Sequence, residues 1–370
     1  MSKEAILMLK EIGSNFWLDP NKVLNEKKLS IEDFGLHGSD YILTSSGRGA
    51  EEFVLKEIEN KKPDINKIAI LPPFTCGTVI EPFIRHGYQV FTYEIDKNLN
   101  AMGADLQDCI EKYNASIVLF HKYFGFDGLI GWKEAIEKFQ KKGVIFIEDR
   151  TQSLFRQENE LNVDYIVGSL RKWCGTPDGG YAVCKQGLFS DRPRIFDEEL
   201  EQLKKTASFM KYDYIVNSKG SKEDFLAAYK KAEEWLDNEN CLYRISPLSE
   251  YILSNLDIDN LKNRRRENYC FIFNRLSKIK DISIVTPFLQ DIDVPLYMCI
   301  TVSDRRALQY HLIENNIFAP IVWPKEMNDI SVCDAADFLY ENSLCLPIDQ
   351  RYGIDDMNRM SNCIEEFYCE

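Results

Sequence analysis

Short apolar runs alternate with longer amphipathic stretches between about residue 40 and residue 190, and this pattern most constrains how the chain can fold. Strands are predicted at Ile68–Leu71 and at residues 88–95, 117–120, 144–147 and 165–167. Between two of them, residues 132–142 repeat apolar side chains at helical spacing, and Gly143 ends that predicted helix. Strands alternating with helices predict an α/β fold with a mostly parallel central sheet flanked by helices.

Polar side chains follow the predicted strands at the points where they end. Ligands of parallel sheets collect at the carboxyl ends of the strands, so these residues are the first candidates for a site. They include Thr75, His121, Asp149, Ser169 and Lys172. Groups able to donate, accept or transfer protons therefore occur at each of these ends, which predicts that the sheet converges on one functional site.

Residues 44–50 combine small side chains with the start of a helix that carries Phe53, Val54 and Ile58 on one face. Such a helix start exposes backbone N–H groups and a positive dipole end, which suit a phosphate. Ser45 and Ser46 would add hydroxyl donors. An ordinary helix cap uses the same residue types, and taken alone the segment favours that simpler interpretation.

Asp149 and Lys172 are each ambiguous when considered alone. A carboxylate at a strand end caps a following helix or stays solvated, but it also suits a protonated ring nitrogen of pyridoxal phosphate (PLP). A single lysine is usually a solvated surface charge. Beside the cationic Arg171, in a cleft, its amine form would be favoured, and this is the form that attacks carbonyl groups.

The order and spacing of several motifs resemble the DegT/DnrJ/EryC1/StrS aminotransferases, which are fold-type-I PLP enzymes. The resemblance rests on Asp149-x-x-Gln152, then Lys172, then Gly179-Gly180. Weaker matches, in the same order as in the family, are Ser46-Gly47-Arg48-Gly49-Ala50, Leu71-Pro72-Pro73-Phe74-Thr75, Tyr243-Arg244-Ile245-Ser246, Arg265-Arg266-Glu267-Asn268-Tyr269 and Leu346-Pro347. The match is dense over residues 41–185 and thin elsewhere. It implies a large PLP-binding domain and a smaller C-terminal domain.

The resemblance also implies a role for each matching residue. Lys172 would form the Schiff base with PLP and shuttle the proton during catalysis. Asp149 would pair with the ring nitrogen, and Gln152 would approach the ring hydroxyl. The remaining cofactor-binding residues implied are Ser46, Gly47, Arg48 and Ser169 at the phosphate and Phe74 against the ring.

Some positions depart from the family pattern. Arg48 stands where the family usually has threonine, so it would bind a phosphate by charge. Cys76 replaces the usual stacking aromatic residue, which leaves Phe74 or Tyr123 for that contact. Leu242 begins the Tyr243-Arg244 segment where the family has asparagine reaching the partner subunit. These differences bear on the substrate more than on the cofactor.

The resemblance predicts a PLP-dependent aminotransferase that transfers an amino group, from a donor such as glutamate, to a keto substrate. A keto sugar or a nucleotide-linked keto sugar is a candidate acceptor, and a homodimer is implied. Two alternatives stay open at this point. One is a PLP-dependent lyase or desulfurase, and the other is a non-catalytic protein that uses the PLP fold for binding.

Length and composition set the remaining expectations. A chain of 370 residues predicts two domains, placed at 1–245, with an N-terminal helical segment, and at 246–370, where residues 247–266 read as one helix. The net charge of −14 argues against nucleic-acid or membrane partners. The cysteines lack metal-site or disulfide spacing, so no metal is expected. Without a signal peptide or a long apolar run, a soluble cytoplasmic protein is predicted.

Overall fold

The computed structural model describes residues 10–20, 29–156, 161–237, 242–286, 289–325 and 330–369. Two of the predictions made from the sequence concern residues outside these ranges. The N-terminal helical segment falls largely on residues 1–9 and 21–28, and the argument against a signal peptide rests on Met1 to Glu4. Both therefore lie outside the described residues.

The elements follow the predicted alternation along the chain. The strands are β1 Ile12–Gly13, β2 Asp40–Thr44, β3 Ile68–Leu71, β4 Gln89–Thr92, β5 Ala101–Met102, β6 Ile117–His121, β7 Leu129–Ile130, β8 Ile145–Asp149, β9 Tyr165–Ser169, β10 Gly180–Cys184, β11 Ile282–Ile284, β12 Met298–Val302, β13 Ile317–Phe318 and β14 Ser343–Leu346. The helices are α1 Gly47–Lys61, α2 Gly77–Arg85, α3 Gly103–Tyr113, α4 Trp132–Gln140, α5 Glu198–Asn217, α6 Lys222–Asp237, α7 Pro247–Ser254, α8 Ile258–Leu276, α9 Arg305–Glu314, α10 Asp334–Asn342 and α11 Ile354–Cys369. Short 3₁₀ turns occur at Ile31–Phe34, Tyr123–Gly125 and Leu170–Lys172.

The principal sheet has seven strands in the order β2-β10-β9-β8-β6-β3-β4, and it confirms the predicted α/β class. A smaller antiparallel sheet, β11-β12-β14, is formed by the C-terminal part of the chain. The chain forms two compact units that interleave along the sequence. The first contains residues 1–14, 65–163 and 258–370, and the second contains residues 15–64 and 164–257. The proposed domain boundary at residue 245 stays a prediction.

The first unit is built on parallel strands. β6 pairs in parallel with β3 and β8, and β3 pairs in parallel with β4. All five residues of β6 and all five of β8 are buried, as expected for inner strands covered on both faces. Trp132 and Phe139 of α4 are buried as well, which confirms the helical spacing recognised in the sequence.

The second unit contains the antiparallel strands. β10 pairs antiparallel with β2 on one side and with β9 on the other. Helix α1 buries Phe53, Val54 and Ile58, the apolar face predicted from the sequence. Helices α5 and α6 form a hairpin that packs around a cluster of Ala207, Phe225 and Tyr229.

One predicted helix is broken in two. Residues 247–266 do not form a continuous helix, because α7 ends at Ser254 and α8 begins at Ile258. At the break, the side chains of Ser254 and Asn255 both donate to the carbonyl oxygen of Tyr251. Such local side-chain bonds compete with the next helical turn. Pro247 lies in the first turn of α7, as predicted.

Candidate functional site

In the first unit, the register of two parallel strands brings His121 and Asp149 side by side. β6 and β8 pair so that these residues are Cα partners at the carboxyl ends of both strands. His121 Nδ1 lies 3.1 Å from Asp149 Oδ2, and His121 Nε2 lies 2.6 Å from Thr75 Oγ1. The second carboxylate oxygen of Asp149 accepts a 2.8 Å hydrogen bond from the backbone N–H of Thr151. All three side chains of this Thr75–His121–Asp149 chain are buried.

Gln152 lies one turn beyond Asp149 and is also buried. Its Oε1 accepts a 2.9 Å hydrogen bond from the backbone N–H of Phe124. Phe124 adopts a left-handed backbone conformation with φ 55°, which a side chain other than glycine rarely takes. The amide oxygen of Gln152 therefore helps to hold a strained turn, while its NH₂ group can act only as a donor.

Phe74 lies in a buried cluster of aromatic rings. Its ring packs edge-on against Trp323 and against Tyr340, with 4.8 Å between centroids in each case. The Tyr340 hydroxyl accepts from the backbone N–H of Thr75 at 2.9 Å and donates to its carbonyl oxygen at 3.0 Å. This cluster fixes the segment that carries Phe74 and Thr75. Trp323 and Tyr340 lie more than 240 residues further along the chain, and no local sequence signal links them to Phe74.

A buried charge cluster occupies the alternate positions of the same strand ends. Glu148 lies 3.1 Å from Lys122 Nζ and 3.2 Å from Arg150 Nε, and all three side chains are buried. Burial alone would raise the pKa of Glu148, but the charges of Arg150 and Lys122 lower it below its ordinary value. Successive side chains of a strand point to opposite faces of the sheet, so Glu148 and Asp149 lie in different environments. No sequence pattern indicated this cluster.

In the second unit, helix α1 begins with a compact turn of small residues. Ser46 is the N-cap, and its hydroxyl accepts a 3.0 Å hydrogen bond from the N–H of Gly49. A Cβ atom on Gly180 would lie 2.1 Å from the carbonyl oxygen of Ser46, so only glycine permits this approach of the β10 backbone. A Cβ on Gly47 would lie 3.2 Å from that of Ser169. Ser46, Gly47 and Ser169 are therefore neighbours in the second unit.

Two of the predicted phosphate ligands have specific partners. Arg48 Nη2 lies 2.8 Å from Asp237 Oδ1, at the last residue of α6. Ser169 is buried at the end of β9, where its hydroxyl lies 3.5 Å from the carbonyl oxygen of Gly179. The guanidinium of Arg48 thus lies beside helix α1 but interacts with a carboxylate of the α5–α6 hairpin.

Lys172 ends the 3₁₀ turn that follows β9, and it is exposed. Its neighbour Arg171 donates to Glu233 of α6 at 3.1 Å, and the buried Lys204 of α5 binds the same carboxylate oxygen. Burial lowers the pKa of Lys204, and the charges of Arg171 and Lys172 lower it further, to about 8. Burial would raise the pKa of Glu233, but Arg171 and Lys204, with a contribution from Lys172, bring it to about 2.

A buried carboxylate anchors the turn between Lys172 and β10. Asp178 accepts hydrogen bonds from the backbone N–H of Ser246 at 2.9 Å and from its hydroxyl at 2.8 Å, and also from the hydroxyl of Ser249. Burial raises the pKa of Asp178 to about 6, against the lowering effect of these hydrogen bonds. The next residue, Gly179, donates from its N–H to Ser45 at 2.7 Å. Asp178 thus fixes the turn that lies against the start of α1.

The candidate residues fall into two groups, each brought together within one unit. The first unit holds Phe74, Asp149 and Gln152, with His121 as a neighbour that the sequence analysis left unassigned. The second unit holds Ser46, Gly47, Arg48, Ser169 and Lys172. That the two groups act on one ligand stays a prediction.

Both groups have the chemistry that PLP requires. A 15-residue helix that starts at Gly47 offers a positive dipole end and N–H groups to a phosphate, and the missing side chain at Gly47 leaves room beside Ser169. Asp149 offers a buried carboxylate, with one oxygen bonded to the N–H of Thr151 and the other 3.1 Å from His121 Nδ1. A buried anion held in this way suits a protonated ring nitrogen. The residues present therefore fit the cofactor.

No protein-family model and no curated protein matches the sequence of this chain. Solved structures do match it over nearly its whole length. Within the described residues, no helix has both the length and the apolar character needed to cross a bilayer. No group of three metal-ligating side chains occurs among those residues either.

Proteins described as aminotransferases are among the structural neighbours, at 14–16% sequence identity to this chain. PseC of Helicobacter pylori, an aminotransferase involved in pseudoaminic acid biosynthesis, has a TM-score of 0.69 and 14% identity, covering 97% of this chain and 99% of its own. The sugar aminotransferase CalS13 of Micromonospora echinospora has a TM-score of 0.63 and 14% identity, with coverage of 98% and 95%. A DegT DnrJ EryC1 StrS aminotransferase of Brucella abortus has a TM-score of 0.62 and 15% identity, covering 96% of this chain and 92% of its own. This chain therefore has the α/β fold of fold-type-I PLP enzymes.

Proposed function

We propose that this protein is a PLP-dependent aminotransferase whose reactive amine belongs to Lys172. The observation that carries the proposal is the placement of the motif residues in this fold. Asp149 ends β8, Gln152 follows it, Lys172 follows β9, and Gly180 begins β10. Full-length structural neighbours that are described as aminotransferases support the same conclusion.

Each residue then has a defined task. Bound PLP would supply an aldehyde for the lysine amine and a ring that withdraws electrons from the substrate carbon. Lys172 would hold the cofactor through its amine and would move a proton as general base and acid. Asp149 would accept the N–H of the ring, and Gln152 would donate to the ring hydroxyl. Phe74 would limit the pocket on one side of the ring.

The phosphate would be held at the start of helix α1. Ser46, Gly47 and Ser169 lie together there, and backbone N–H groups of a helix start bind anions without a side-chain charge. Arg48 would add a positive charge from the first turn of the same helix. Its guanidinium pairs with Asp237, so a bound phosphate would share this cation with that carboxylate.

His121 would act on the cofactor through Asp149. It lies between the Thr75 hydroxyl and the Asp149 carboxylate, and its ring stacks on Trp323 with 6.0 Å between centroids. The contact with Thr75 and the packing on Trp323 fix the imidazole beside the carboxylate of Asp149. His121 is therefore a positioning residue, and the charge that faces the ring nitrogen belongs to Asp149.

The proposed reaction takes an amino group from a donor such as glutamate and passes it to a keto acceptor. Two of the neighbours named above are described by the sugars or sugar pathways that they serve, which favours a keto sugar, free or linked to a nucleotide, as the acceptor. We further infer a cytoplasmic homodimer. Gel filtration that gave only monomer would contradict the dimer without touching the cofactor assignment.

The proposal is tested by adding PLP to the purified protein and recording its visible spectrum after dialysis. Wild type should keep a yellow absorption that Lys172→Ala lacks, whereas the exposed lysine variant Lys230→Ala should behave like wild type. Addition of glutamate should bleach the colour, and a keto acid should restore it. A protein that never retains PLP would refute the proposal. Release of ammonia or sulfide without transfer would point to a lyase or desulfurase.

A further inference from the structure

We propose that Cys299 and Cys345 are a modification site, at which a hydroperoxide introduces a reversible disulfide into the small antiparallel sheet of the first unit. Cys299 lies on β12 and Cys345 on β14. Neither cysteine has a part in the proposed reaction. The inference is independent of the proposed function, because it needs neither a cofactor nor an amino donor.

The strand register places the two cysteines directly opposite each other. β12 and β14 pair antiparallel, and Cys299 and Cys345 are Cα partners in that pairing. Side chains of directly opposed residues project from the same face of a sheet. Both residues are buried, with 0% and 2% of their surface exposed. The register therefore holds two thiols beside each other in the interior of the unit.

The backbone hydrogen bonds around the pair show which kind of opposed pair it is. In an antiparallel ladder, pairs that exchange backbone hydrogen bonds alternate with pairs that do not. The carbonyl oxygen of Cys299 accepts from the N–H of Val285, which lies just beyond β11 on the other side of β12. The N–H of Cys345 donates to Pro320 and not to β12. Cys299 and Cys345 therefore form a non-hydrogen-bonded pair, in which side chains come closest.

This arrangement has the geometry that a disulfide requires. The Cα atoms of a non-hydrogen-bonded pair are about 4.5 Å apart, and disulfides join Cα atoms about 4.4–6.8 Å apart. Cys184 on β10 provides a contrast, because it is also buried but its partners on the neighbouring strands are Asp40 and Tyr165. The opposed register, and not burial alone, therefore distinguishes Cys299 and Cys345.

Formation of the bond consumes one molecule of hydroperoxide. One thiolate attacks the peroxide, which breaks the O–O bond, releases hydroxide and leaves a sulfenic acid on that cysteine. The second thiolate attacks the sulfenic sulfur, forms the S–S bond and expels the second hydroxide. The two thiol protons convert both hydroxides to water, so two thiols are oxidised while the peroxide takes up two electrons. A dithiol reverses the change by exchange.

The surroundings of the pair determine how fast it reacts. Burial raises the pKa of the Cys345 thiol well above its ordinary value, and the neighbouring thiol of Cys299 raises it further. Only the thiolate attacks peroxide, so oxidation of the folded chain should be slow at neutral pH and faster as the pH rises. The pair therefore responds to sustained exposure to an oxidant and not to a brief one.

The disulfide would lie close in the chain to both segments that hold Phe74. β14 directly follows α10, the helix that carries Tyr340. The N–H of Cys345 bonds to Pro320, three residues before Trp323. Because Tyr340 and Trp323 both pack on Phe74, a covalent link between β14 and β12 would stabilise the support of this aromatic cluster.

The proposal is tested by treating the purified full-length chain with hydrogen peroxide at mildly alkaline pH. The remaining thiols are then blocked, and mass spectrometry maps the peptides without reduction. A peptide pair joined through Cys299 and Cys345 is expected, and dithiothreitol should separate it. The oxidised chain should also unfold at a temperature about 5 °C higher than the same sample after reduction, because the bond closes a loop of residues 300–344 in the unfolded chain.

Matched variants distinguish this pair from the other thiols. Cys345→Ala should lose both the joined peptides and the change in unfolding temperature, whereas Cys184→Ala should keep both. Thiols at Cys299 and Cys345 that stay reduced after the exposed Cys270 and Cys369 have been oxidised would overturn the proposal. An unfolding temperature that reduction leaves unchanged would overturn the stabilising role. If Cys345→Ala did not fold, the peptide map of the wild-type chain would decide, since it needs no variant.

Discussion

Replacement of Asp178 by asparagine should change how the stability of this protein depends on pH. The folded protein raises the pKa of this carboxyl from 3.8 to about 6, because it is buried. Between these two values the folded chain holds a proton that the unfolded chain has lost. The free energy of unfolding therefore falls as the pH rises through this window. A shift of about two pKa units corresponds to about 3 kcal/mol.

Asparagine fits the same site without the charge. Its amide oxygen can accept from the backbone N–H of Ser246, and its NH₂ group can donate to the serine hydroxyls, which rotate to accept. As the pH rises from about 4 to about 7, the free energy of unfolding of the variant should therefore come to exceed that of wild type by up to about 3 kcal/mol. Urea unfolding followed by tryptophan fluorescence at several pH values measures the difference.

Two further variants sharpen the interpretation. Asp191→Asn removes an exposed carboxylate of the same unit and should leave the pH dependence unchanged. Ser249→Ala removes a hydrogen bond that lowers the pKa of Asp178, so the pH window should extend to higher pH. A stability difference between Asp178→Asn and wild type that stayed constant with pH would refute the reasoning.

Two other variants probe the first unit. Tyr340→Phe should lower the free energy of unfolding by about 1–2 kcal/mol, because both hydrogen bonds to Thr75 are lost. Thermal unfolding measures the loss, and an equal loss in Tyr310→Phe, a residue that is 68% exposed, would contradict this prediction. Glu148→Gln should cost about 3–5 kcal/mol, since two buried cations lose their shared anion. Urea unfolding beside the exposed control Glu137→Gln should show the contrast, and a cost no larger than the control's would argue against it.

Local patterns in the sequence predicted much of the fold. The strands β3, β6, β8 and β9 lie where apolar runs end in polar residues, because inner parallel strands are buried on both faces and read as continuous apolar segments. Asp149 and Lys172 became candidates because they follow recognisable strand ends and have the spacing of the family motif. The start of α1 was found for a similar reason, since small residues preceded an apolar helical face.

Contacts between distant residues could not be predicted in this way. Trp323 and Tyr340 reach Phe74 only through tertiary packing, and a single sequence contains no signal for that contact. The partners of Asp178 and the ion pair of Arg48 with Asp237 are of the same kind. The break after α7 was missed for another reason. The apolar residues keep their helical spacing across it, although the side chains of Ser254 and Asn255 donate hydrogen bonds to a carbonyl oxygen there.

The alternation at the end of β8 also bears on changes of chain length. Glu148 and Asp149 are adjacent acids, yet one pairs with buried cations while the other lies beside His121. Inserting or deleting one residue within β8 would exchange their faces. The carboxylate of Asp149 would then face the side of Lys122 and Arg150. Glu148, whose side chain is one carbon longer, would face His121 instead. Relatives that keep this chemistry should therefore hold β8 and the segment from Asp149 to Gln152 to a constant length.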